Sequence, residues 1–398
     1  MRWLIVEDAL QDSRGHWFEY ARVFHNELIR LGDGVEILVS KKAESRIIQK
    51  LNARAILPDS IWHKLDQQTL LARIISVPLH AFRTWLALSK VLKKDCNYDI
   101  IFIPTVSVHH LLAWFVLILT ILRKNPARIL LYFVSIPMIV DEDGNAQWVK
   151  SPNTFILRLL LALLRPYVKS GKIILGVETA FQQQALSSAA KIMVRYIPQP
   201  VESPSFESSP KAGAELLFAC YGPARCEKGS DILQSAIGIY FKLNPDSRLK
   251  FAIQWIDDFR SETGQIATKS QDLQNDPRVE YIGHYFGDRE YDQWLDRTAV
   301  MLLPYRLASY KLRGSRVAIE AMTRGIPIVT TFGTALAEQS KKYGAAVLFE
   351  NNDVEDLVNA IRQADENFKE LKIVAQQRKQ FAQTHFSVAN FREILNQI

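Results

Sequence analysis

Cysteine is scarce in this chain, with three in 398 residues. Cys96, Cys220 and Cys226 are odd in number and lack metal-ligand spacing. They argue against a disulfide framework and a cysteine-built metal site, and fit free thiols in a reducing compartment. Long apolar runs are also missing. The longest, residues 111–122, is broken by Thr120, flanked by Arg123 and Lys124, and too short to span a bilayer. No G-x-G-x-x-G follows the first apolar segment, which disfavours a dinucleotide-binding dehydrogenase. Neither aromatic-glycine RNA-binding motifs nor paired Cys/His fingers occur, so nucleic acid is not an expected partner. Met1-Arg2-Trp3 leads into an apolar run with no cleavage-site pattern, and the expected location is cytoplasmic.

Negative charge is thin in the first half. The formal net charge is +7, and residues 1–200 carry 25 Lys and Arg against 16 Asp and Glu. A basic half suits anionic lipid or an anionic substrate, as well as a plain solvated surface. The apolar segments 111–122 and 155–164, edged by Arg and Lys, raise the expectation of peripheral attachment to an anionic membrane surface, on its inner face. The competing expectation is that both segments are buried in a core.

What is present is a repeating β/α pattern across a length that suits two domains. Residues 3–7 form a short apolar strand. After a loop, Trp17, Tyr20, Ala21, Phe24, Leu28 and Leu31 recur at helical spacing from His16 onward. Residues 35–39 are the next strand. Residues 41–94 read as cation-rich helices. Strands are expected at 99–103, 128–133, 173–177 and 193–196, and helices at 111–122, 155–168 and 179–186. Residues 140–150, with the acidic cluster Asp141-Glu142-Asp143, read as a surface loop.

The segment IPQPVESPSFESSPKAG is rich in Pro and Ser and lacks periodicity, which makes it an interdomain linker. The expected division is residues 1–197, a linker at 198–213, a second β/α domain at 214–380, and a crossing helix at 381–398. In the second domain, Leu216–Tyr221 is followed by Gly222-Pro-Ala-Arg225-Cys-Glu-Lys228-Gly229. A glycine loop with two cations between a strand and a helix suits a diphosphate. Residues 299–331 read strand, loop, helix, strand. The loop ends at Gly314-Ser315, the helix runs from Arg316 to Arg324, and Gly325 stops it. Such a loop lies at the C-terminal end of a strand and the N-terminal end of a helix, where free amides attract anions. Glu320 sits one turn inside that helix.

Glu320-Ala-Met-x-x-Gly325-x-Pro327-x-Val329 resembles the second half of the signature of retaining glycosyltransferases of family 4, which have the GT-B fold. Gly222, Lys228 and Gly229 keep the spacing of that family's Gly-Arg-x-x-x-x-Lys-Gly, with Pro223 in place of the arginine and Arg225 two residues later. The family's first signature glutamate is replaced by Leu312. The resemblance implies two Rossmann-like α/β domains facing each other across a cleft, the first binding the acceptor and the second a nucleotide-diphosphate sugar, with a last helix packing back on the first domain.

It further implies hexose transfer to an acceptor hydroxyl with retention, in polysaccharide or glycoconjugate synthesis, on a glycan or glycolipid. No metal and no other cofactor is expected. The donor diphosphate falls to Gly15, Arg225, Lys228, Gly314, Ser315 and Arg316, and the ribose and base to Glu320, Gly283 and His284. Many members of that family carry a histidine facing the reaction centre right after the strand that 99–103 matches. That position here is Pro104 or Thr105, and His109 and His110 are the catalytic candidates, against a structural role at a helix start. Two other readings stay open: a non-catalytic homologue that binds sugar nucleotides, and a GT-B sugar-nucleotide epimerase.

Overall fold

The computed structural model of the chain describes residues 1–12, 16–60, 70–94, 97–123, 125–140, 145–202, 216–287 and 289–397. Gly15, the acidic residues 141–143 and most of the expected linker lie outside them. The chain divides into two compact units, Met1–Pro200 with Val388–Ile398, and Val201–Ser387. The first passage between units falls within the expected linker. The second comes at Val388, later than the expected 381, because Ala382 and Phe386 are packed into the core of the second unit.

The strands of the first unit are β1 (Arg2–Glu7), β2 (Gly34–Ser40), β3 (Arg54–Leu57), β4 (Ile100–Ile103), β5 (Arg128–Phe133), β6 (Met138–Val140), β7 (Ala146–Trp148), β8 (Ile173–Val177) and β9 (Arg195–Tyr196). Seven form one parallel sheet in the order β3-β2-β1-β4-β5-β8-β9. Strands β4 and β8 are buried along their whole length, which is why they read as unbroken apolar runs. Two expectations need correction. The helical reading of 41–94 hid β3, a four-residue edge strand too short for a period to show. The expected surface loop at 140–150 contains a strand, β7, which pairs antiparallel with β6.

One side of this sheet packs on the helix His16–Arg30 and the C-terminal helix Val388–Asn396. Phe391 meets the rings of Phe24 and Phe102 at 4.8 and 5.4 Å. Its neighbour Arg392 grips the buried Asp33 with Nε at 2.7 Å and Nη2 at 2.9 Å, while the Trp3 indole donates to the same carboxylate at 3.0 Å. A buried carboxylate is tolerable only with such a full set of donors.

The second unit holds β10 (Leu217–Cys220), β11 (Lys250–Gln254), β12 (Phe259–Arg260), β13 (Ile266–Ala267), β14 (Val279–Ile282), β15 (Val300–Leu303), β16 (Ile328–Thr331) and β17 (Ala346–Phe349). Six form a parallel sheet in the order β14-β11-β10-β15-β16-β17, and β12 pairs with β13 as a separate hairpin. In each unit the chain winds outward from its first strand and then returns to the other side of it. The strand order therefore switches between β1 and β4 in the first unit, and between β10 and β15 in the second. Loops diverge at these switch points beyond the C-terminal strand ends, leaving room for a ligand.

Candidate functional site

At the switch point of the second unit, the loop after β10 turns at Gly222, whose φ is +88°. The Gly222 amide donates to Gln254 Oε1 at 2.6 Å, and Gln254 Nε2 donates to the His284 carbonyl at 2.8 Å. Buried Gln254, the last residue of β11, thus couples the loop after β10 to the loop after β14. A 3-10 turn, Cys226–Lys228, ends at Gly229, with φ +64°, and Gly229 opens the helix Ser230–Leu243. A Cβ at Gly229 would collide with the Pro304 carbonyl, so only glycine lets the two loops beside the switch point touch. Arg306 fastens them. Its amide donates to the Glu227 carbonyl at 3.0 Å, its guanidinium reaches Asp231 at 2.9 Å and also donates to the Cys226 carbonyl.

Lys228 is half-buried, with its ammonium folded over Gly222 and 5.8 Å from the Tyr305 ring centroid. Burial pulls its pKa down to about 8. It forms no hydrogen bond or ion pair among the described residues. Arg225 is different: it is exposed and lies 3.6 Å from Glu227. The structure thus gives the two cations unequal surroundings, one sheltered and unneutralised, the other solvated and paired.

Across the switch point, Ser315 caps the helix Arg316–Arg324, its Oγ accepting from the Ala318 amide at 3.4 Å. Arg316 Nε donates to Glu320 Oε1 at 2.7 Å, and the Tyr291 hydroxyl donates to Glu320 Oε2 at 2.7 Å. Arg316 Nη1 is buried and has no hydrogen-bond partner. A buried guanidinium N–H without an acceptor is costly unless a ligand supplies one. Leu312 is buried and apolar. Beyond β14, exposed His284 pairs through Nε2 with Glu290 at 2.7 Å, leaving the backbone of Gly283 and His284 as the rim of the site. The arrangement offers a sheltered ammonium, an unsatisfied guanidinium nitrogen and two helix starts, which is the chemistry of an anion site.

The switch point of the first unit gathers a buried polar cluster. Glu7 ends β1 and Asp8 follows it, and both are 4 % exposed. The helix after β4 starts at Val108, three residues before the expected 111, and carries both histidine candidates in its first turn. His110 Nδ1 lies 3.0 Å from Ser107 Oγ, and Nε2 donates to Asp8 Oδ1 at 2.9 Å. Its ring is thus engaged on both sides. His80, from the helix Leu70–Lys94, brings Nε2 to 3.2 Å from Asp8 Oδ2. His109 is buried beside Ser107 Oγ, at 2.7 Å, and burial followed by the nearby His110 charge lowers its pKa to about 2.

Although burial opposes it, the charge and hydrogen bond of His110 hold Asp8 well below the ordinary carboxylate range. Glu7 goes the other way: burial, then the Asp8 charge, push it up to about 7. Glu7, Asp8, Thr84, Thr105, His110 and Trp114 line a narrow pocket there. Two carboxylates whose surroundings drive their pKa values apart are suited to divide acid and base roles. Asp8, His109 and His110 also offer ligand atoms within 4.8 Å of one another, close enough for a metal ion. The Nε2–Oδ1 hydrogen bond accounts for the Asp8–His110 pairing without one.

The structure therefore brings Lys228, Gly314, Ser315, Arg316 and Glu320 to one switch point, with Gly283 and His284 on the neighbouring strand end. It draws His109 and His110 into the other cluster, and sets Arg225 toward solvent. Sequence reading missed Gln254, Arg306, Tyr291, Glu7, Asp8 and His80. Glu7-Asp8 had a usable signal: two carboxylates at the end of an apolar strand. His80, one polar residue in an apolar helix, had none.

Residues 225–367 match the family model described as Glycosyl transferases group 1. No curated protein sequence matches the chain. Among solved structures, a glycosyltransferase from Rickettsia africae is similar, with 13% identity, a TM-score of 0.67 and coverage of 100% of this chain and 98% of that one. Sucrose-phosphate synthase from Thermosynechococcus elongatus is similar with 15% identity, a TM-score of 0.67 and coverage of 100% and 98%. HepE from Anabaena, solved in complex with UDP and glucose, is similar with 14% identity, a TM-score of 0.62 and coverage of 99% and 98%. The fold is thus that of the GT-B glycosyltransferases, two Rossmann-like α/β units with parallel sheets.

Proposed function

We propose that this protein transfers a hexose from a nucleotide-diphosphate sugar to an acceptor hydroxyl with retention of configuration, in the manner of glycosyltransferase family 4. The observation that carries the reading is Lys228, a sheltered ammonium without an ion-pair partner among the described residues, set between the two loops of a switch point. The match of residues 225–367 to the group 1 model supports it, as does the likeness to HepE, whose structure holds UDP and glucose. In this reading the anomeric carbon parts from the β-phosphate oxygen and bonds to the acceptor oxygen. Lys228, Arg316 and the two helix starts stabilise charge on the leaving diphosphate. These groups do the work that a divalent metal does in other enzymes, so no metal or cofactor is required. Glu320 accepts from the ribose hydroxyls, and the Gly283–His284 backbone borders the base.

The first unit takes the acceptor, a glycan or glycolipid of polysaccharide or glycoconjugate synthesis. In this reading Glu7, whose pKa burial pushes up to about 7, receives the acceptor proton. The protein works in the cytoplasm, peripherally on the membrane. The test is a screen of radiolabelled nucleotide sugars against membrane extracts, followed by assignment of the product's anomeric configuration, with and without EDTA. Inversion, or a requirement for metal, would overturn the mechanism.

A second reading has one observation behind it. Leu312 replaces the family's first glutamate with a buried apolar side chain. A non-catalytic homologue that only binds sugar nucleotides would tolerate that loss. Tight nucleotide binding with neither transfer nor donor hydrolysis would favour it. Conversion of the donor sugar without any acceptor would favour an epimerase instead.

A further inference from the structure

Three helices of the first unit, Leu70–Lys94, Val108–Leu119 and Pro152–Lys169, pack side by side in that order. Each buries one apolar face: Leu88 and Leu92 on the first, Trp114 and Leu117 on the second, Leu157, Leu161 and Leu164 on the third. A surface helix with its core face satisfied should be polar on the other side. These are not. The first exposes Ile75, Leu79, Phe82 and Leu86, spaced by three or four residues along one stripe. The second exposes Val116 and Leu119. The third exposes Phe155, Leu159 and Leu163, each one turn from the last. Ile75 and Phe155 are 69% and 68% exposed, which marks them as outward-facing rather than imperfectly packed.

Charge identifies the occupant. The three helices contain no Asp or Glu. Exposed cations edge the stripes: Arg83, Lys90, Lys93 and Lys94 on the first helix, Arg158 and Lys169 on the third. Apolar stripes bordered by Lys and Arg and free of carboxylates suit the headgroup boundary of an anionic bilayer. A protein partner would favour a core poor in lysine and a rim of mixed sign. No helix among the described residues is long and apolar enough to cross a membrane, so the contact is with the surface.

We infer that this three-helix face docks on an anionic lipid bilayer, with Ile75, Phe82, Phe155 and Leu159 entering the headgroup layer and Lys90 and Arg158 meeting lipid phosphates. This rests on the peripheral location proposed above and names the surface that makes the contact, while sugar transfer stands or falls separately.

The test is flotation of the full chain with vesicles of phosphatidylcholine alone and of phosphatidylcholine mixed with phosphatidylglycerol. The chain should float with the mixed vesicles, much less with the neutral ones, and should be released by salt. The triple variant Ile75→Ser, Phe155→Ser, Leu159→Ser should lose at least roughly tenfold in partitioning, since each side chain gives up apolar burial in lipid. Its thermal unfolding should be unchanged, because these side chains are outside the core. A second variant, Lys90→Glu with Arg158→Glu, leaves packing untouched and should abolish the preference for anionic vesicles. No flotation on either vesicle type, or equal flotation of the parent and both variants, overturns the inference. So does a parent that self-associates through this face, with dimerisation lost in the triple variant and no lipid binding.

Discussion

Lys228 folds back over Gly222 so closely that its ammonium takes the space a Cβ on Gly222 would need. The glycine and the lysine are therefore one device. The turn at φ +88° leaves a niche, and the lysine fills it from six residues further on.

Lys228→Ala should weaken nucleoside diphosphate binding roughly ten- to a hundredfold, because a charge-assisted hydrogen bond is worth ~1.5–3 kcal/mol. The transfer rate should fall further than affinity, since charge on the diphosphate grows as the sugar departs. Arg225→Ala should lose little, as an exposed cation already near Glu227 adds at most about 1 kcal/mol. Calorimetric titration and single-turnover transfer on both variants decide between them. Equal losses would mean that the loop closes Arg225 onto the ligand.

The lowered pKa of Lys228, about 8, has its own consequence. Below that pH the free protein presents the ammonium. Above it the free protein presents the neutral amine, while a bound diphosphate favours the charged form. Affinity should therefore be level up to pH 8 and then fall, approaching tenfold per pH unit. Lys228→Met should flatten this profile. A parent profile flat to pH 10 would show that Lys228 does not meet the phosphates.

Glu7 should make stability depend on pH in the opposite sense to an ordinary ion-paired acid. Its pKa rises on folding from 4.5 to about 7, so the folded state binds the extra proton between those values. Stability is then full below pH 4.5 and is lost as pH rises through 7, by up to roughly 3 kcal/mol. Glu7→Gln keeps an acceptor for the Ala9 amide and should remove that slope. Urea unfolding at pH 5 and pH 8 measures it, and equal slopes for parent and variant would place the titration elsewhere.

The difference between these two sites explains what was legible in the sequence. The donor-side residues lie on short local units, strand to loop to helix, where a glycine, a cation and a cap within a few residues carry the geometry. Lys228, Ser315 and Glu320 could be set on those local units from the sequence, while their roles came from the family resemblance. The cluster of the first unit is assembled from β1, the long helix with His80 and the helix after β4. Nothing local announces that Asp8 and His110, 102 residues apart, meet at 2.9 Å. Gln254 and Arg306 were hidden for the same reason, since each acts by joining loops distant in sequence. The buried strands were readable because parallel strands covered on both faces are uniformly apolar, whereas β3, short and at an edge, was not.

The C-terminal helix is held by one aromatic plug and one charged clasp. Phe391→Ala should cost ~3–5 kcal/mol, as expected for an aromatic removed from a filled core. Arg392→Ala leaves the Asp33 carboxylate with Trp3 and the terminal amine as donors, and should cost less. Because Asp33 is held low by these donors against the effect of burial, acid should erase the contribution of Arg392 as the carboxyl takes up its proton. Denaturant unfolding of each variant at neutral and acid pH tests both claims. A cost for Arg392→Ala that persists at acid pH would assign it to packing of the arginine stem instead.

Glu320 separates two ways of holding a nucleotide. Its carboxylate accepts from Arg316 Nε and from the Tyr291 hydroxyl, each at 2.7 Å, so one lone-pair direction on each oxygen remains for a ribose hydroxyl. Glu320→Ala removes the ribose contact and also frees Arg316, whose Nη1 is unpartnered. If ribose binding is its main role, the variant should lose roughly tenfold affinity for a nucleoside diphosphate and little for inorganic diphosphate, which has no ribose. If its role is to aim Arg316, both ligands should weaken together. Tyr291→Phe refines the comparison, since it removes one carboxylate partner without touching Arg316. We expect it to reduce nucleoside diphosphate affinity only a few fold, because the Arg316 bond still fixes the carboxylate. Loss for inorganic diphosphate equal to that for the nucleotide would move Glu320 from ribose binding to the positioning of Arg316.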